Sequence, residues 1–595
     1  LNRKTIISKT ILFICIVGFI TIFMSIFSKD NTLVGVTVVT ATLMFLQRDL
    51  THNLGRFFLV FLVINISQGM LAYISQVNIW IGIPATFVAM FITGFMFTYN
   101  VKAPMYIAFG LQYLFMLYYP VTIDRLPLRV LSLAVGAVII ILAQLIFNRN
   151  KLKKVSKATL PRITKGLSEK IDLIIKKKYK HQHDMDIILY IKELRKAILD
   201  SREAYFHTTL EGKINLNISI ALERINILVD RINSGIINKP LNITLKDRQL
   251  LTSVMEIVSQ LDICIEDKEV THQEIEKINA FISTYAIPDK GDGDDKLNAI
   301  SKNHLEQILE IMDFIRHNLE EVINLSGEEY RKIIRKTDIP KVFRAGYVMR
   351  KNFHLKSVKL SYALRSAVVV TLGYFIVKYF NLPEGRWLVF TLFALIQPYM
   401  QDTEIKTWHR IKGTLVGVIV FIILFSLVKD FTLRSVIVLL VGYINSFLDK
   451  SGYDKQMIFI TISALGVAAI TGDIGALATE RIVYVLIGVL IALIANRLIL
   501  PYRVEDALSD LLHIYSEILD RIKMEISLAH EGKGNIQNMR NLIMQTSLLE
   551  DKIFIIIDTE NERSQEKIKD YIVKNRILVN DLYDEYLAAH SAVKV

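Results

Sequence analysis

The feature that most constrains this chain is the way its apolar residues fall into long uncharged runs separated by charged stretches. A helix needs about 20 apolar residues to cross roughly 30 Å of hydrocarbon. Six such runs precede residue 150, at 10–27, 31–46, 57–74, 77–98, 102–119 and 129–147. Six more lie at 360–380, 386–400, 411–428, 432–448, 456–471 and 481–499. Between the two sets no such run exists. Apolar residues there recur at helical spacing in Ile187–Tyr205, Ile214–Ile232, Leu251–Ile265 and His304–Ile323. The tail has the same mixed character, with a glycine-containing break at Glu531–Gly532–Lys533–Gly534. The expected fold is an all-α polytopic membrane protein: two parallel six-helix transmembrane repeats, each followed by a cytoplasmic α-helical domain. The corresponding boundaries are 1–149 for the first six-span module, 150–358 for a helical domain, 359–501 for the second module and 502–595 for a smaller helical domain.

Composition agrees with that segregation. Hydrophobic residues make up 52% of the 595, yet charged residues still reach 22%, near the soluble average of roughly 25%. Such a chain keeps its apolar and charged residues in separate blocks. The two cysteines, Cys15 and Cys264, fall in unlike segments, which excludes a disulfide framework and a cysteine zinc site. Arg3 and Lys4 before the first run resemble the start of a signal peptide, but no small-residue cleavage pattern closes the run, so it is read as the first membrane helix.

The net charge of +13 is explained by topology. Basic residues of short loops collect on the cytoplasmic side, and one side here carries Arg3, Lys4, Arg48, Arg56, Lys102 and the cluster Arg149–Lys157. Lys406, Arg410, Lys412, Lys450 and Lys455 fall on the same side in the second half. Both termini and both aqueous domains are therefore expected in the cytoplasm, and no nucleic-acid partner is implied. Lys176, Lys177, Lys178 and Lys180 add a cluster suited to anionic headgroups.

The two six-run blocks align with each other. Setting Arg129 against Arg481 also pairs Gly136 with Gly488, Ile139 with Ile491, Ala143 with Ala495 and Gln144 with Asn496. Similar offsets pair Lys102 with Lys455, Thr37 with Thr391 and Lys9 with Arg365. Six is even, so the repeats run parallel, a transporter design that places substrate at the repeat interface.

Short or interrupted spans in matching positions point to a transport site. The second and eighth runs are the short ones, and the eighth ends in Gln397–Pro398, where proline removes a backbone donor. Beyond it, Trp408–His409–Arg410–Ile411–Lys412–Gly413–Thr414 is expected to open the ninth span. A helix N-terminus there, with Arg410 and Lys412, would form an anion-binding mouth; ordinary positive-inside anchoring is the alternative. Arg365, near the cytoplasmic end of the seventh run, is either an anchor or a substrate contact. Arg129 and Arg481 are read as beginning their helices on the outer side. Asn65, Gln68, Gln112, Gln144, Asn445 and Asn496 are read mainly as interhelical hydrogen-bond partners.

No Asp or Glu lies inside any of the twelve runs. Cation carriers coupled to protons or sodium usually need an intramembrane carboxylate, so an organic anion is the favoured cargo. There is no phosphate-binding G-x-x-x-x-G-K-[ST] loop. The run Asp289–Asp295 lacks the register of a calcium loop and is read as flexible. His181 and His183 form only a weak pair. No metal, cofactor or enzymatic activity is expected.

Arg386–Trp387–Leu388–Val389–Phe390–Thr391, then Gln397–Pro398, then Arg410–Ile411–Lys412–Gly413–Thr414–Leu415–Val416–Gly417 resembles the signature of the fusaric acid resistance/aromatic acid exporter superfamily. Tyr362–Ala363–Leu364–Arg365 is similar to the start of the preceding helix in that family, and Arg481, Gly488, Asn496 and Pro501 to its last helix. The first half departs from the pattern, since Asp49–Arg56 lacks Gly-Thr-x-x-Gly. The resemblance implies export of aromatic carboxylates and related weak acids across the bacterial inner membrane, driven by proton-motive force. Plant malate channels look distantly similar, which keeps a passive anion channel open as a second reading. A third is a membrane-anchored scaffold acting through its cytoplasmic helices, which could equally mediate a homodimer.

On the leading reading, Arg365, Arg410 and Lys412 attract the carboxylate, Trp387 contacts a ring, and Thr391, Gln397 and Thr414 supply hydrogen bonds. Asp402, Glu404 and His409 are the nearby titratable candidates for coupling. A basic cavity between spans two, eight and nine is the expected geometry.

Overall fold

The computed structural model describes residues 3–51, 54–97, 105–179, 184–200, 210–238, 243–264, 267–286, 300, 302–323, 352–355, 357–428, 430–448, 452–469, 474–557 and 562–593. Among these residues every regular element is helical. Asp289–Asp295, His181 with His183, Lys102 and Lys450 lie outside the described residues.

The first six helices are α1 (Arg3–Phe27), α2 (Thr32–Phe45), α3 (Leu54–Val77), α4 (Ile79–Phe97), α5 (Tyr106–Tyr118) and α6 (Leu126–Ala143). Six charged and amphipathic helices follow: α7 (Lys151–Ile175), α8 (Asp184–Asp200), α9 (Leu210–Asn238), α10 (Leu245–Cys264), α11 (Lys268–Tyr285) and α12 (Lys302–Ile323). The apolar pattern resumes in α13 (Val358–Tyr379), α14 (Arg386–Leu395), α15 (Met400–Leu427), α16 (Phe431–Phe447), α17 (Tyr453–Ala468) and α18 (Ile474–Leu498). The chain closes with α19 (Val504–His530), α20 (Ile536–Ile557) and α21 (Glu562–Val593). Seven helical stretches are long and apolar enough to cross a membrane: those containing α1, α3, α4, α6, α13, α15 and α18. The chain is a polytopic helical membrane protein.

Two compact units divide the chain: 46–54 with 144–345, and the remainder. The smaller unit is built on α7 to α12. Its core is formed by Ile163, Leu167 and Ile171 of α7, Leu222 of α9, Val258 and Leu261 of α10, and Ile315 of α12. Charges inside it are paired: the fully buried Lys170 meets Asp230 at 2.6 Å and Asn226 at 2.8 Å, and Arg195 meets Glu223 at 2.6 Å. Burial holds the Glu274 carboxyl above its ordinary range although Lys277 lies 2.9 Å away.

In the larger unit α19, α20 and α21 pack around Tyr515, Ile522, Met539, Tyr583 and Tyr586. Gly532, with φ 74°, makes the turn between α19 and α20 in a backbone conformation that side chains disfavour. Among the apolar helices of this unit α2, α4, α5, α13, α14 and α18 contribute to one core, and α15, α16, α17 and α18 to a second. The junction between the first and second six helices is dominated by α4 on α13. Tyr362 and Tyr374 of α13 are fully buried there, and the Tyr374 hydroxyl donates to the Ser75 carbonyl at 2.5 Å. A Cβ at Gly94 would stand 2.9 Å from the Ala363 Cα, which measures how close the backbones come. Among the described residues this contact is filled by side chains where a passage between the two halves was expected.

Candidate functional site

The sequence leads to α14 and its neighbours, and the structure shifts three helix boundaries there. The eighth run was expected over 386–400, but α14 is a ten-residue helix ending at Leu395. Pro398 disfavours helical backbone at Gln397, and Ile396 already turns to extended geometry. The ninth helix was expected to open at 411, but α15 begins at Met400, which places Arg410 about 15 Å inside it. The anion mouth expected at Trp408–Thr414 is therefore not a helix N-terminus. Likewise α18 begins at Ile474, so Arg481 sits about two turns inside a helix rather than at its start.

Arg365 is fully buried on α13. Its η nitrogens donate to the carbonyls of Gln397 (2.7 Å), Pro398 (2.8 Å) and Leu500 (3.2 Å). These carbonyls follow the ends of α14 and α18, where helices leave acceptors unpaired. The guanidinium thus closes the chain's own backbone, not a substrate. Gln397 is equally engaged: its Oε1 accepts from Tyr106 (3.0 Å) and Lys406 (2.6 Å), and its Nε2 donates to Ala394 O (2.8 Å).

Arg410 is different. Only 5% exposed, it donates to the Thr391 hydroxyl at 3.3 Å and the Tyr453 hydroxyl at 3.4 Å, and approaches Met457 Sδ at 3.8 Å. Its Nε has no partner, and among the described residues no carboxylate pairs with it. Thr414, one turn further along the same face of α15, and Thr461 on α17 are buried with unpartnered hydroxyls. Gly413 and Gly417 pack against α17, where added Cβ atoms would meet the Asp454 carbonyl at 2.7 Å and Thr461 Cβ at 2.8 Å. These glycines serve helix contact and leave no opening for a ligand.

Trp387 precedes Thr391 by one turn on α14 and is 7% exposed. One face of its indole is covered by the Arg481 guanidinium, 4.1 Å from the ring centroid. Phe390 meets it edge-on at 6.2 Å. The expected ring contact with substrate is displaced by that stacked cation.

Lys412 is exposed on the side of α15 away from Arg410, so it does not join the site. Among the coupling candidates, Glu404 pairs with Arg497 at 3.7 Å in an exposed position. His409 is half-buried, and Asp402 lies within electrostatic reach of Lys406. Among the described residues α2 packs mainly on α1, α5 and α6, whereas α14 packs on α5, α13, α15 and α18. The structure instead gathers Trp387, Thr391, Arg410 and Thr414, and adds Tyr453, Thr461 and Arg481, which the sequence argument had not put in the site. The signal for Arg481 was its seven-residue spacing from Gly488, which puts both on one helical face: a Cβ on Gly488 would meet Thr391 Cγ2 at 2.8 Å.

All seven residues of this cluster fall inside 372–495, the segment that matches the family described as "Fusaric acid resistance protein-like". The chain is 33% identical over 144 residues to an uncharacterized protein of Synechocystis, an alignment covering 24% of this chain and 19% of that protein. It is 32% identical over 149 residues to the uncharacterized protein ORF2 of Neisseria gonorrhoeae, covering 24% and 35% respectively. The inner membrane protein YccS of Escherichia coli aligns at 27% identity over 153 residues, 26% of this chain and 21% of that protein. The matches thus span about a fifth to a third of these relatives' own length. No solved structure matches. Through residues 372–495, in its second set of apolar helices, this chain is similar to the fusaric acid resistance protein-like family.

Proposed function

We propose that the chain is a multi-pass transporter of the bacterial inner membrane that exports organic carboxylate anions. The observation that carries this reading is Arg410, a buried guanidinium whose partners are two hydroxyls and a thioether. A full charge held out of water is strongly unfavourable unless it is paired, and intramembrane charges ordinarily mark substrate or ion paths. An anion is the partner that fits.

Aromatic cargo and proton-motive drive form the finer part of the proposal and rest on the family resemblance. Asp402, within electrostatic reach of Lys406, is the coupling candidate of this reading. The arrangement of two parallel six-helix repeats, each followed by a cytoplasmic helical domain, belongs to the same proposal. It is supported by matched contacts: a Cβ on Gly136 would meet Val38 of α2 at 2.6 Å, as one on Gly488 would meet Thr391 of α14 at 2.8 Å. Gln144 accepts from the Leu50 N–H at 3.3 Å, and Asn496 donates to the Met400 carbonyl at 3.2 Å, each just beyond a second span.

The test is reconstitution in lipid vesicles, following benzoate flux under imposed pH and voltage gradients. Flux that falls about tenfold or more in Arg410→Gln, the size of losing a charge-assisted hydrogen-bonded contact, supports the reading. No flux under any gradient removes it. A passive channel of the same fold is favoured instead if current is steady and independent of pH, since Lys406, Arg410 and Arg481 carry basic groups on three levels of the helices.

A further inference from the structure

Arg481 is 2% exposed, and among the described residues no hydrogen bond or ion pair reaches it; its Nε is unpartnered, and its guanidinium lies on the Trp387 ring. The Trp387 indole N–H is also buried without an acceptor. One turn along α14, Thr391 is fully buried and holds Arg410. Arg410 and Arg481 repel one another across this turn, and both feel the Tyr453 hydroxyl. Two uncompensated cations thus converge on a single helical turn. Stacking on an indole offsets a desolvated cation only in part and falls short of what burying a second like charge demands.

Resting on the carboxylate reading above, we infer that Arg410 and Arg481 together form one cradle for a dianion, a small dicarboxylate with one carboxylate on each guanidinium. The anchoring residues Trp387 and Thr391 are separated by four residues, about 6 Å along the helix axis, a spacing suited to two carboxylates on a short carbon skeleton. The indole N–H and the hydroxyls of Thr414 and Thr461 are the neutral groups left to complete the polar lining. Trp387 acts as a positioning residue here: its ring fixes the Arg481 plane, and so is not itself a seat for an aromatic cargo. Every lining side chain is less than a tenth exposed, so the cradle is closed on all sides and admits ligand only when its helices part.

Equilibrium binding to the purified full-length protein tests this with phthalate and benzoate, which share a ring and differ by one carboxylate, and with sulfate and chloride as inorganic counterparts. Phthalate is expected to bind about tenfold or more tighter than benzoate, the size of one charge-assisted hydrogen-bonded pair. Arg481→Gln should bring phthalate down to the benzoate level, with a loss several times larger for phthalate than for benzoate. Arg481→Lys, which keeps the charge, should retain a phthalate preference. Sulfate should compete with phthalate better than chloride does. Equal affinity of the wild type for phthalate and benzoate overturns the dianion cradle, and so does equal loss of both ligands in Arg481→Gln. Binding of this pattern without vesicle flux would count against transport alone; flux with equal binding would count against the cradle alone.

Discussion

In the proposed repeat Arg129 pairs with Arg481, and both are buried, at 3% and 2% exposure. The first is fully answered by the chain. Its Nε donates to Asn31 Oδ1 at 2.9 Å, and its η nitrogens to the carbonyls of Tyr119 and Asp30, each at 2.8 Å. The second has a tryptophan face and no acceptor. The same residue in the same setting is thus closed into structure in one half and left open in the other. On the proposed reading, the difference separates a cation that holds helices together from one available to a ligand. The matching pair Lys9 and Arg365 differ in the opposite sense: Lys9 reaches Phe447 O from a partly exposed position, while Arg365 is the buried clamp.

The largest expected effect separates these two kinds of arginine by stability. Arg129→Gln and Arg365→Gln each leave buried carbonyls without donors, so each should destabilise by about 3 kcal/mol or more, given roughly 1–3 kcal/mol per orphaned buried group. Arg481→Gln removes an uncompensated charge and should leave the melting temperature unchanged or raise it. Thermal unfolding in detergent compares the three; a large loss in Arg481→Gln would erase the contrast.

Next in size is transport itself. Arg410→Gln should reduce vesicle flux about tenfold or more, while Lys412→Gln, on the exposed side of the same helix, should stay within about twofold. A third comparison uses the matched glycines. Gly136→Leu and Gly488→Leu both overpack a close helix contact and should cost about 1–3 kcal/mol each. Only Gly488→Leu, which presses on Thr391, should also weaken phthalate binding. Smallest is Trp387→Phe, which keeps a ring beneath Arg481 but a weaker one. A two- to fivefold loss of phthalate affinity is expected, corresponding to about 0.5–1 kcal/mol of cation–π attraction.

The helices were legible because membrane burial forces continuous apolar runs, and α3, α13 and α16 fall within a few residues of their expected limits. Helix starts beside the site were not legible. Met400–Thr407 is polar and charged, so its residues looked like a loop; the α15 helix continues through them because Thr403 and Thr407 are buried on one face. Arg410, Thr391 and Trp387 were readable from spacing, since they share faces of two short segments. Arg365 and Gln397 were singled out for the right reason, their rarity in apolar surroundings. A sequence cannot say whether a backbone carbonyl or a ligand will answer a buried charge. Arg481 was missed for the same reason that Arg129 looked identical to it: the acceptors that distinguish them come from elsewhere in the chain.

The Arg365 clamp fastens more than one helix end. The stretch it holds runs straight into α15, whose first residue, Met400, donates its N–H to the Tyr502 carbonyl at 2.9 Å, just before α19. Gln401 accepts from the Val504 N–H at 3.2 Å, and Tyr399 and Tyr502 pack with ring centroids 6.1 Å apart. The C-terminal helices are therefore not hung from a slack tether. The start of α19 is thus joined through Met400 and Gln401 to the break at Gln397–Pro398, which the Arg365 guanidinium holds.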